Sequence, residues 1–301
     1  MLNGLTVIPT EVFTRMPQKF RDRSQRRPGS APRYHAVDGF LEGPSFDRAG
    51  NLYVVDVPYG RVFRIDPRGA WDLVVQYDGE PNGLKIHRDG RIFIADFKHG
   101  IMVLDPVRGT IAPLLEYRHA ERFRGINDLV FASNGDLYFT DQGLSSLTDP
   151  TGRVYRYTAQ GRLECLTDRA PSPNGIVLSP AGDMLYVAMT VQSAVWRMQP
   201  VNDGSARVRM LTQLTCGGTD GLAVDETGSV VIANAGIGIV WIVDKRGVPT
   251  HRIESCAGDM TTNIAFGGAD RKTLYITESS SCSIITARMP NAGVPMYAHS
   301  A

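Results

Sequence analysis

The feature that most constrains this 301-residue chain is a hairpin pattern that occurs six times. In the clearest copy, residues 126–141, apolar residues alternate on both sides of a turn at residues 133–136, and alternation interrupted by an Asn-Gly turn is typical of a β-hairpin. The polar residues that open the six copies are Glu42, Asn82, Asn127, Asn174, Asp220 and Asn263, separated by 40, 45, 47, 46 and 43 residues. A period of this length built on short strands is typical of a β-propeller blade. The sequence therefore predicts an all-β, six-bladed propeller.

The repeat covers nearly everything after residue 41, so residues 1–301 are predicted to form a single domain of four-stranded blades. In the second copy the strands are expected at residues 84–87, 91–95, 100–104 and 110–115. A further apolar run at residues 5–16 lies outside the six hairpins. We assign it to the outer strand of the last blade, pairing near residues 282–289, because closure by both ends of the chain removes an exposed sheet edge.

Residues 17–39 interrupt the pattern with an irregular, basic segment. We interpret it as a solvated excursion, although it could also steer an anionic substrate or contact a partner subunit. The net charge of +1 predicts neither a nucleic-acid partner nor a membrane-surface partner. No basic leader followed by a long apolar core begins the chain and the four cysteines are widely scattered, so a cytoplasmic protein is expected.

In a four-stranded blade, the loop that enters the inner strand and the loop between strands two and three share one face. The six opening residues are therefore expected to form a ring at one mouth of the central channel. Oxygen-bearing side chains gathered there must be hydrogen-bonded, hydrated or bound to a cation, since bare burial costs several kcal/mol. Ca²⁺ accepts such ligands, Mg²⁺ and Mn²⁺ are alternatives, and Zn²⁺ fits less well because the set lacks thiolates and imidazoles. Alternatively, such residues cap their own loops, and Asn82 and Asn263 are expected to serve as caps or to support the ring from behind.

The segments LEGPSFDRAGNLYVVD, NDLVF…GDLYFTD, PNGIVLSPAGDMLYVA and TDGLAVDETG together resemble the gluconolactonase, regucalcin and senescence-marker-protein family of six-bladed propellers. They are more distantly similar to diisopropylfluorophosphatase and paraoxonase. The resemblance implies a catalytic Ca²⁺ held by Glu42, Asn174 and Asp220, with Asn127 as a further ligand or a substrate contact, and hydrolysis of sugar lactones or related cyclic esters. Regucalcin-like members carry an Arg two residues before that Asn, where this chain has Gly125, and Arg124 is one step out of register.

These residues predict a hydrolase in which the metal polarises a lactone carbonyl and Asp220 acts as general base, with direct nucleophilic attack as its rival. Asp128 is expected to have a structural role, facing the blade interior or capping backbone. The ends of the second strands come near the ring, which suggests further pocket residues. They are Tyr59, Asn82, His99, Gln142, Met189 and Asn234.

The sequence leaves three other functions open. A propeller can be a non-catalytic binding module, as in YWTD and NHL arrays, because fold alone does not determine function. A strictosidine-synthase-like enzyme would work without metal. A phosphotriesterase would use the same ring. The expected partner is a small-molecule lactone or ester, and the oligomeric state is left undetermined.

Overall fold

The six predicted hairpins form the inner halves of six antiparallel sheets arranged around one axis. The computed structural model describes residues 4–25, 37–200 and 206–299. Within blades one to four the strands follow one another in chain order from the inner to the outer edge, and in blades five and six a strand from the start of the chain is added at the outer edge. Each inner strand contacts the inner strands of its two neighbours, so the contacts run around a closed ring. The predicted all-β, six-bladed propeller is confirmed.

The strand bounds follow the chain. Before the blades come β1 (Thr6–Pro9) and β2 (Glu11–Arg15). Blade one contains β3 (Leu41–Phe46), β4 (Leu52–Asp56), β5 (Arg61–Ile65) and β6 (Trp71–Gln76). Blade two contains β7 (Pro81–Ile86), β8 (Ile92–Asp96), β9 (Gly100–Asp105) and β10 (Thr110–Leu115). A small hairpin follows, made of β11 (Tyr117–Arg118) and β12 (Glu121–Arg122).

The second half of the ring repeats this plan. Blade three contains β13 (Ile126–Phe131), β14 (Leu137–Asp141), β15 (Gly152–Tyr157) and β16 (Leu163–Ala170). Blade four contains β17 (Pro173–Leu178), β18 (Leu185–Met189), β19 (Ala194–Pro200) and β20 (Ala206–Gln213). Blade five contains β21 (Gly218–Val224), β22 (Val230–Ala235), β23 (Ile239–Val243) and β24 (Pro249–Glu254). Blade six contains β25 (Thr261–Gly267), β26 (Thr273–Glu278) and β27 (Ser283–Arg288).

Short 3-10 turns complete the described elements. They are Gln18–Phe20, Arg23–Gln25, Val57–Tyr59, Thr190–Gln192 and Tyr297–His299. Among the residues that the structure describes, no helix combines the length and apolarity needed to cross a bilayer.

The start of the chain closes the ring, but it does so with one strand and not with the whole predicted run. β2 pairs antiparallel with β27 and becomes the outer strand of blade six, as expected. β1 instead pairs in parallel with β24, so blade five has five strands and the assignment of residues 6–9 to the last blade was wrong. The chain passes between blades at Thr10, whose hydroxyl donates to the Glu254 carbonyl at 2.7 Å. An alternating apolar pattern does not show that the chain crosses from blade five to blade six within this run.

Six buried apolar clusters hold the blades together, one in each interface between neighbouring blades. Side chains alternate along each strand, so both faces of a blade contribute to clusters. In β4, Tyr53 and Val55 pack towards blade two, whereas Leu52 and Val54 pack towards blade six. A sheet that is buried on both faces needs near-continuous apolar strands, which explains segments such as residues 92–95.

The basic segment is tied down at both of its described ends. Arg21 and Arg23 bond to Asp38 at 3.1 and 2.7 Å, and Phe20 packs on Phe63 of blade one. Arg26, Arg27 and Arg33 lie outside the described residues.

The end of the chain crosses the face of the propeller opposite to the predicted ring. We call residues 291–299 the C-terminal strap. Val294 donates its N–H to the Val224 carbonyl in blade five at 3.1 Å, and Arg48 of blade one donates to the Ala298 carbonyl at 2.7 Å. The Tyr297 ring stacks on Phe131 of blade three with centroids 4.9 Å apart. The strap covers a cavity of about 230 Å³ at this end of the channel.

We expect the closing strand to determine the stability of the whole ring. Deletion of residues 1–15 removes β2 and leaves β27 as an unpaired edge, so the unfolding temperature should fall and larger oligomers should form. Deletion of residues 1–10 removes only β1, and β24 then becomes an outer strand like those of other blades. That shorter deletion should keep the size distribution of the full chain. Differential scanning calorimetry and light scattering test both; equal behaviour of the two truncations would contradict the expectation.

Candidate active site at one mouth of the channel

The pairing of each inner strand with its neighbour shows which residues of the six copies are equivalent. The mid-strand pairs are Leu84–Ile94, Leu129–Phe139, Ile176–Val187, Leu222–Ile232 and Ile264–Ile276. The ring position lies two residues before the first member of each pair. Blade six therefore places Thr262 in the ring, and the sequence alignment that placed Asn263 there was one residue out of step. The ring that the structure forms, which we call the polar ring, contains Glu42, Asn82, Asn127, Asn174, Asp220 and Thr262.

The position directly after the polar ring is glycine in four blades and polar in two. The six residues are Gly43, Gly83, Asp128, Gly175, Gly221 and Asn263. A Cβ atom on Gly83 would collide with the Asp128 carboxylate, and one on Gly221 would collide with the Asn263 amide. The glycines therefore leave room in the channel for the two larger side chains. We call Asp128 and Asn263 the axial pair.

Two carboxylates of the polar ring are buried close together. Glu42 and Asp220 are 2% and 8% exposed. Burial raises the pKa of Glu42 from 4.5 to about 7, and the charge of Asp128 adds to the rise. Burial also raises the pKa of Asp220 well above its ordinary value, and the charges of Glu42 and then Asp128 raise it further. The mouth of the channel thus gathers negative charge that would be relieved by a cation.

Three groups hold the two ring carboxylates in place. The Glu42 Oε2 atom accepts hydrogen bonds from the Gly43 N–H at 3.0 Å and from Asn263 Nδ2 at 2.8 Å. A hydrogen bond from the Asn174 side chain opposes the rise in the pKa of Asp220. The expectation that Asn263 supports the ring from behind agrees with its bond to Glu42.

The Asn127 amide is oriented by one partner and leaves its oxygen free. Its Nδ2 donates to Gln142 Oε1 at 2.9 Å, whereas Oδ1 is buried and has no hydrogen-bond partner. Gln142 in turn donates to the Ser172 hydroxyl at 2.8 Å, two residues before Asn174. A buried acceptor without a donor costs about 1–3 kcal/mol unless something else binds it. The oxygen therefore fits a cation or a substrate hydroxyl.

The donor chemistry fits a hard cation held by carboxylates and amides together. Within the described residues, no group of three or more His, Cys, Asp or Glu side chains could hold a metal ion. A cation site at this mouth would therefore need the amide oxygens of Asn127 and Asn174 besides Glu42 and Asp220. Such all-oxygen sets suit Ca²⁺ better than Zn²⁺.

Of the remaining predicted pocket residues, Asn82 belongs to the polar ring, whereas His99 and Tyr59 have partners outside it. Asn82 occupies the ring position of blade two and is nearly buried. His99 is half-buried, and its Nε2 contacts the Asp78 carbonyl oxygen. Tyr59 is fully buried with the Arg61 guanidinium 4.3 Å above its ring.

Met189 and Asn234 are also enclosed by protein. Met189 is fully buried in the apolar cluster between blades three and four. Asn234 donates to the Cys216 carbonyl at 3.1 Å. Like Tyr59, these two side chains lie within the body of the propeller.

The acids at the ends of the second strands hold the loops that lead into the ring. Asp56 accepts from the Phe40 N–H at 2.9 Å, Asp141 from the Gly125 N–H at 2.8 Å, and Glu278 from the Met260 N–H at 3.1 Å. Each of these N–H groups lies two residues before a ring residue. These carboxylates therefore fix the ring from behind.

The sequence predicted a structural role for Asp128, in the blade interior or as a backbone cap, and missed its position in the channel. The expected backbone contact is present, since the Leu129 N–H donates to Asp128 Oδ1 at 2.8 Å. The same oxygen lies 3.7 Å from Lys85 Nζ, and the carboxylate abuts Gly83 of blade two. These contacts place it in the channel and not in the interior of its own blade. An Asp at a position where four other blades have glycine was the available signal.

The position that departs from the regucalcin-like pattern is covered by an aromatic ring. Phe97, in the turn after β8, lies against Gly125 so closely that a Cβ atom there would collide with the ring. Gly125 also has φ +149°, which disfavours any side chain. Arg124 is directed elsewhere: it donates to the Thr151 carbonyl at 3.2 Å. Arg124 therefore does not take the place of the family Arg.

The fold and the site define a six-bladed propeller with a ring of buried oxygen ligands at one mouth of its channel. The family model described as "SMP-30/Gluconolactonase/LRE-like region" matches residues 40–280, and the chain belongs to this family. It is 32% identical over 227 residues to a Staphylococcus aureus protein named lactonase drp35, covering 71% of this chain and 69% of the relative.

Solved structures agree on the fold. A calcium-binding protein named regucalcin from Agrobacterium tumefaciens superposes with a TM-score of 0.76 at 21% identity, covering 98% of this chain and 99% of the other. A gluconolactonase from Xanthomonas campestris superposes with a TM-score of 0.74 at 24% identity, covering 84% and 86%. The resemblance drawn from the sequence motifs is confirmed.

We expect the metal-free protein to lose stability as the pH rises. Glu42 binds its proton more tightly in the folded state, so its ionisation costs folding free energy from about pH 4.5 upward, and the cost is complete above about pH 7. A shift of this size corresponds to about 3 kcal/mol. Urea unfolding of chelator-treated protein between pH 5 and 8 should show a shallower decline for Glu42→Gln than for the unsubstituted chain. The exposed Glu226→Gln is the control, and parallel profiles for all three would contradict the assignment.

Proposed function

We propose that this chain is a lactone hydrolase that works with a divalent cation, Ca²⁺ by preference, bound at the polar ring. The observation that carries the proposal is the buried pair Glu42 and Asp220 beside the unpartnered Asn127 oxygen. Membership of the family and the names of the relatives support lactone hydrolysis. A binding platform or a metal-free condensing enzyme would not require two buried, mutually repelling acids.

The cation would be held by Glu42, Asn127, Asn174 and Asp220, all of which carry oxygen ligands. When bound, it would polarise the lactone carbonyl and stabilise the developing oxyanion. Mg²⁺ and Mn²⁺ are the next candidates, and Zn²⁺ is the weakest because nitrogen and sulfur ligands are absent from the set.

Asp220 is the proposed general base. Its carboxylate would take the proton from the attacking water. The Asn174 side chain holds it by a hydrogen bond, so the carboxylate has a defined direction. Collapse of the tetrahedral intermediate breaks the ring C–O bond, and the released alkoxide takes back the proton that Asp220 removed from water, which gives a hydroxy acid.

Asn127 has two roles in the proposal. Its Nδ2–Gln142 bond fixes the plane of the amide, and its Oδ1 can then bind the cation or a hydroxyl of the substrate. Gln142 is therefore a positioning residue. The half-buried Phe97 and the bare Gly125 form the neighbouring wall, which lacks the charged group that would grip sugar hydroxyls. The proposed substrate is accordingly a lactone with few hydroxyl groups.

Substitution of the proposed base tests the reaction. Asp220→Asn should lower kcat for lactone hydrolysis by at least about 100-fold, which is within the usual contribution of general-base catalysis. Addition of a chelator to the unsubstituted protein should abolish turnover reversibly. The control is Asp225→Asn in the same blade, whose carboxylate accepts from Thr227 and Ser229 in the opposite turn. If Asp220→Asn kept both its bound calcium and full turnover, the assignment would be wrong.

A substrate panel tests the pocket. We expect a higher kcat/KM for alkyl or aromatic lactones than for aldonolactones, because Phe97 lies where a sugar-binding Arg would be needed. Phe97→Ala should reduce this preference, by about tenfold if one aromatic contact of about 1.4 kcal/mol is lost. Arg124→Ala is the control, since its guanidinium bonds to the Thr151 carbonyl. A preference for aldonolactones that both variants retain would overturn the substrate assignment while leaving the hydrolase proposal intact.

A further inference from the structure

We propose that the axial pair, Asp128 and Asn263, is a positioning device that reaches across the channel and holds Glu42 in its ligating orientation. The inference rests on the proposed function only in treating Glu42 as a ligand. Asp128 belongs to blade three and Asn263 to blade six, which lie opposite one another in a ring of six.

The Asn263 amide is arranged to bridge two carboxylates. Its Oδ1 accepts the Ile264 N–H at 2.8 Å, which fixes the direction of the amide. Nδ2 carries two hydrogens. It donates to Glu42 Oε2 at 2.8 Å, and a hydrogen bond from the same side chain opposes the rise in the pKa that burial causes at Asp128. Rotation of this amide would break both links at once.

The Asp128 carboxylate contacts groups of its own blade and of blade two. Its Oδ1 accepts the Leu129 N–H at 2.8 Å and lies 3.7 Å from Lys85 Nζ. Burial raises the pKa of Asp128, and hydrogen bonds from the Ile176 N–H and the Asn263 side chain act against that rise. Because these contacts lie behind the polar ring and one of them involves Asn263, the role that we assign to Asp128 is to support Asn263 and not to bind the cation.

Lys85 supplies the counter-charge that a buried carboxylate needs. Its side chain is 22% exposed and lines the cavity under the C-terminal strap, while its Nζ reaches Asp128. The axial pair and Lys85 therefore form the floor between the polar ring and the closed end of the channel. Long polar side chains fit there only because neighbouring blades have glycine at the same level.

A set of variants distinguishes a positioning role of the axial pair from a role in balancing the charge of Lys85. Asn263→Ala and Asp128→Ala remove the bridge, and Asp128→Ala combined with Lys85→Met removes the acid together with its counter-charge. We expect all three to weaken Ca²⁺ binding, measured by isothermal titration calorimetry, by about tenfold to a hundredfold, as is usual when support behind a metal ligand is lost. At saturating Ca²⁺, kcat should return to within about threefold of the unsubstituted value, because Asp220 is untouched.

The matched control is Asp136→Ala, which removes another buried carboxylate of the same hairpin. Asp136 pairs with Arg156 at 2.5 Å at the opposite end of the blade. Its loss should lower the unfolding temperature without changing Ca²⁺ affinity. Recovery of affinity in the Asp128→Ala, Lys85→Met double variant would show charge balance instead and overturn the proposal, as would folded Asn263→Ala protein with affinity within twofold of the unsubstituted chain.

Crystal structures of the variants separate this inference from the proposed function. The positioning role requires the Glu42 carboxylate to move when Asn263 or Asp128 is replaced by Ala. An unmoved Glu42 overturns the inference, whatever the enzyme does. If the unsubstituted protein binds no divalent cation and hydrolyses no lactone, the proposed function fails, while displacement of Glu42 in the variants would still support the axial pair as its positioning device.

Discussion

The pairing of β2 with β27 is the contact on which the rest of the structure depends. Each blade buries both of its faces against neighbours, and this arrangement satisfies every blade only when the array closes into a ring. One strand from the start of the chain completes the last blade, so the ends of the chain are joined by backbone hydrogen bonds. The six apolar clusters between blades then have equivalent surroundings. Among the described residues, each blade contributes side chains to the clusters on both of its sides.

Closure also forces the six inner strands towards one axis, and this crowding determines the chemistry of the channel. Glycine at four of the six positions behind the polar ring relieves the crowding, and the space is used by Asp128 and Asn263. Three carboxylates, Glu42, Asp128 and Asp220, share a volume in which water is scarce. Their mutual repulsion is tolerated because Lys85 and amide donors compensate part of it. The uncompensated part is what makes the mouth of the channel suitable for a divalent cation.

The two ends of the channel differ for a related reason. At the ring end, the loops are held by the strand-end carboxylates Asp56, Asp141 and Glu278, which leave the ring residues to bind something else. At the other end, the C-terminal strap covers the opening with Met296 and Tyr297. A substrate would therefore approach the ring from one side, and the axial pair separates that site from the apolar cavity behind it.

The sequence by itself determined the fold, because the hairpin period of about 40–45 residues records how much chain one blade needs. The repeat also placed Glu42, Asn82, Asn127, Asn174 and Asp220 in one ring, because equivalent positions of successive blades lie at the same level of the channel; the choice of four of them as metal ligands came from the resemblance to the family. Tertiary structure alone decided the rest. The register in blade six, where Thr262 and not Asn263 enters the ring, depends on strand pairing that an alignment of hairpins does not record. The division of the N-terminal run between blades five and six depends on the space between outer strands. Asp128 and Asn263 are 135 positions apart in the chain, and only closure of the ring brings side chains of opposite blades together in the channel.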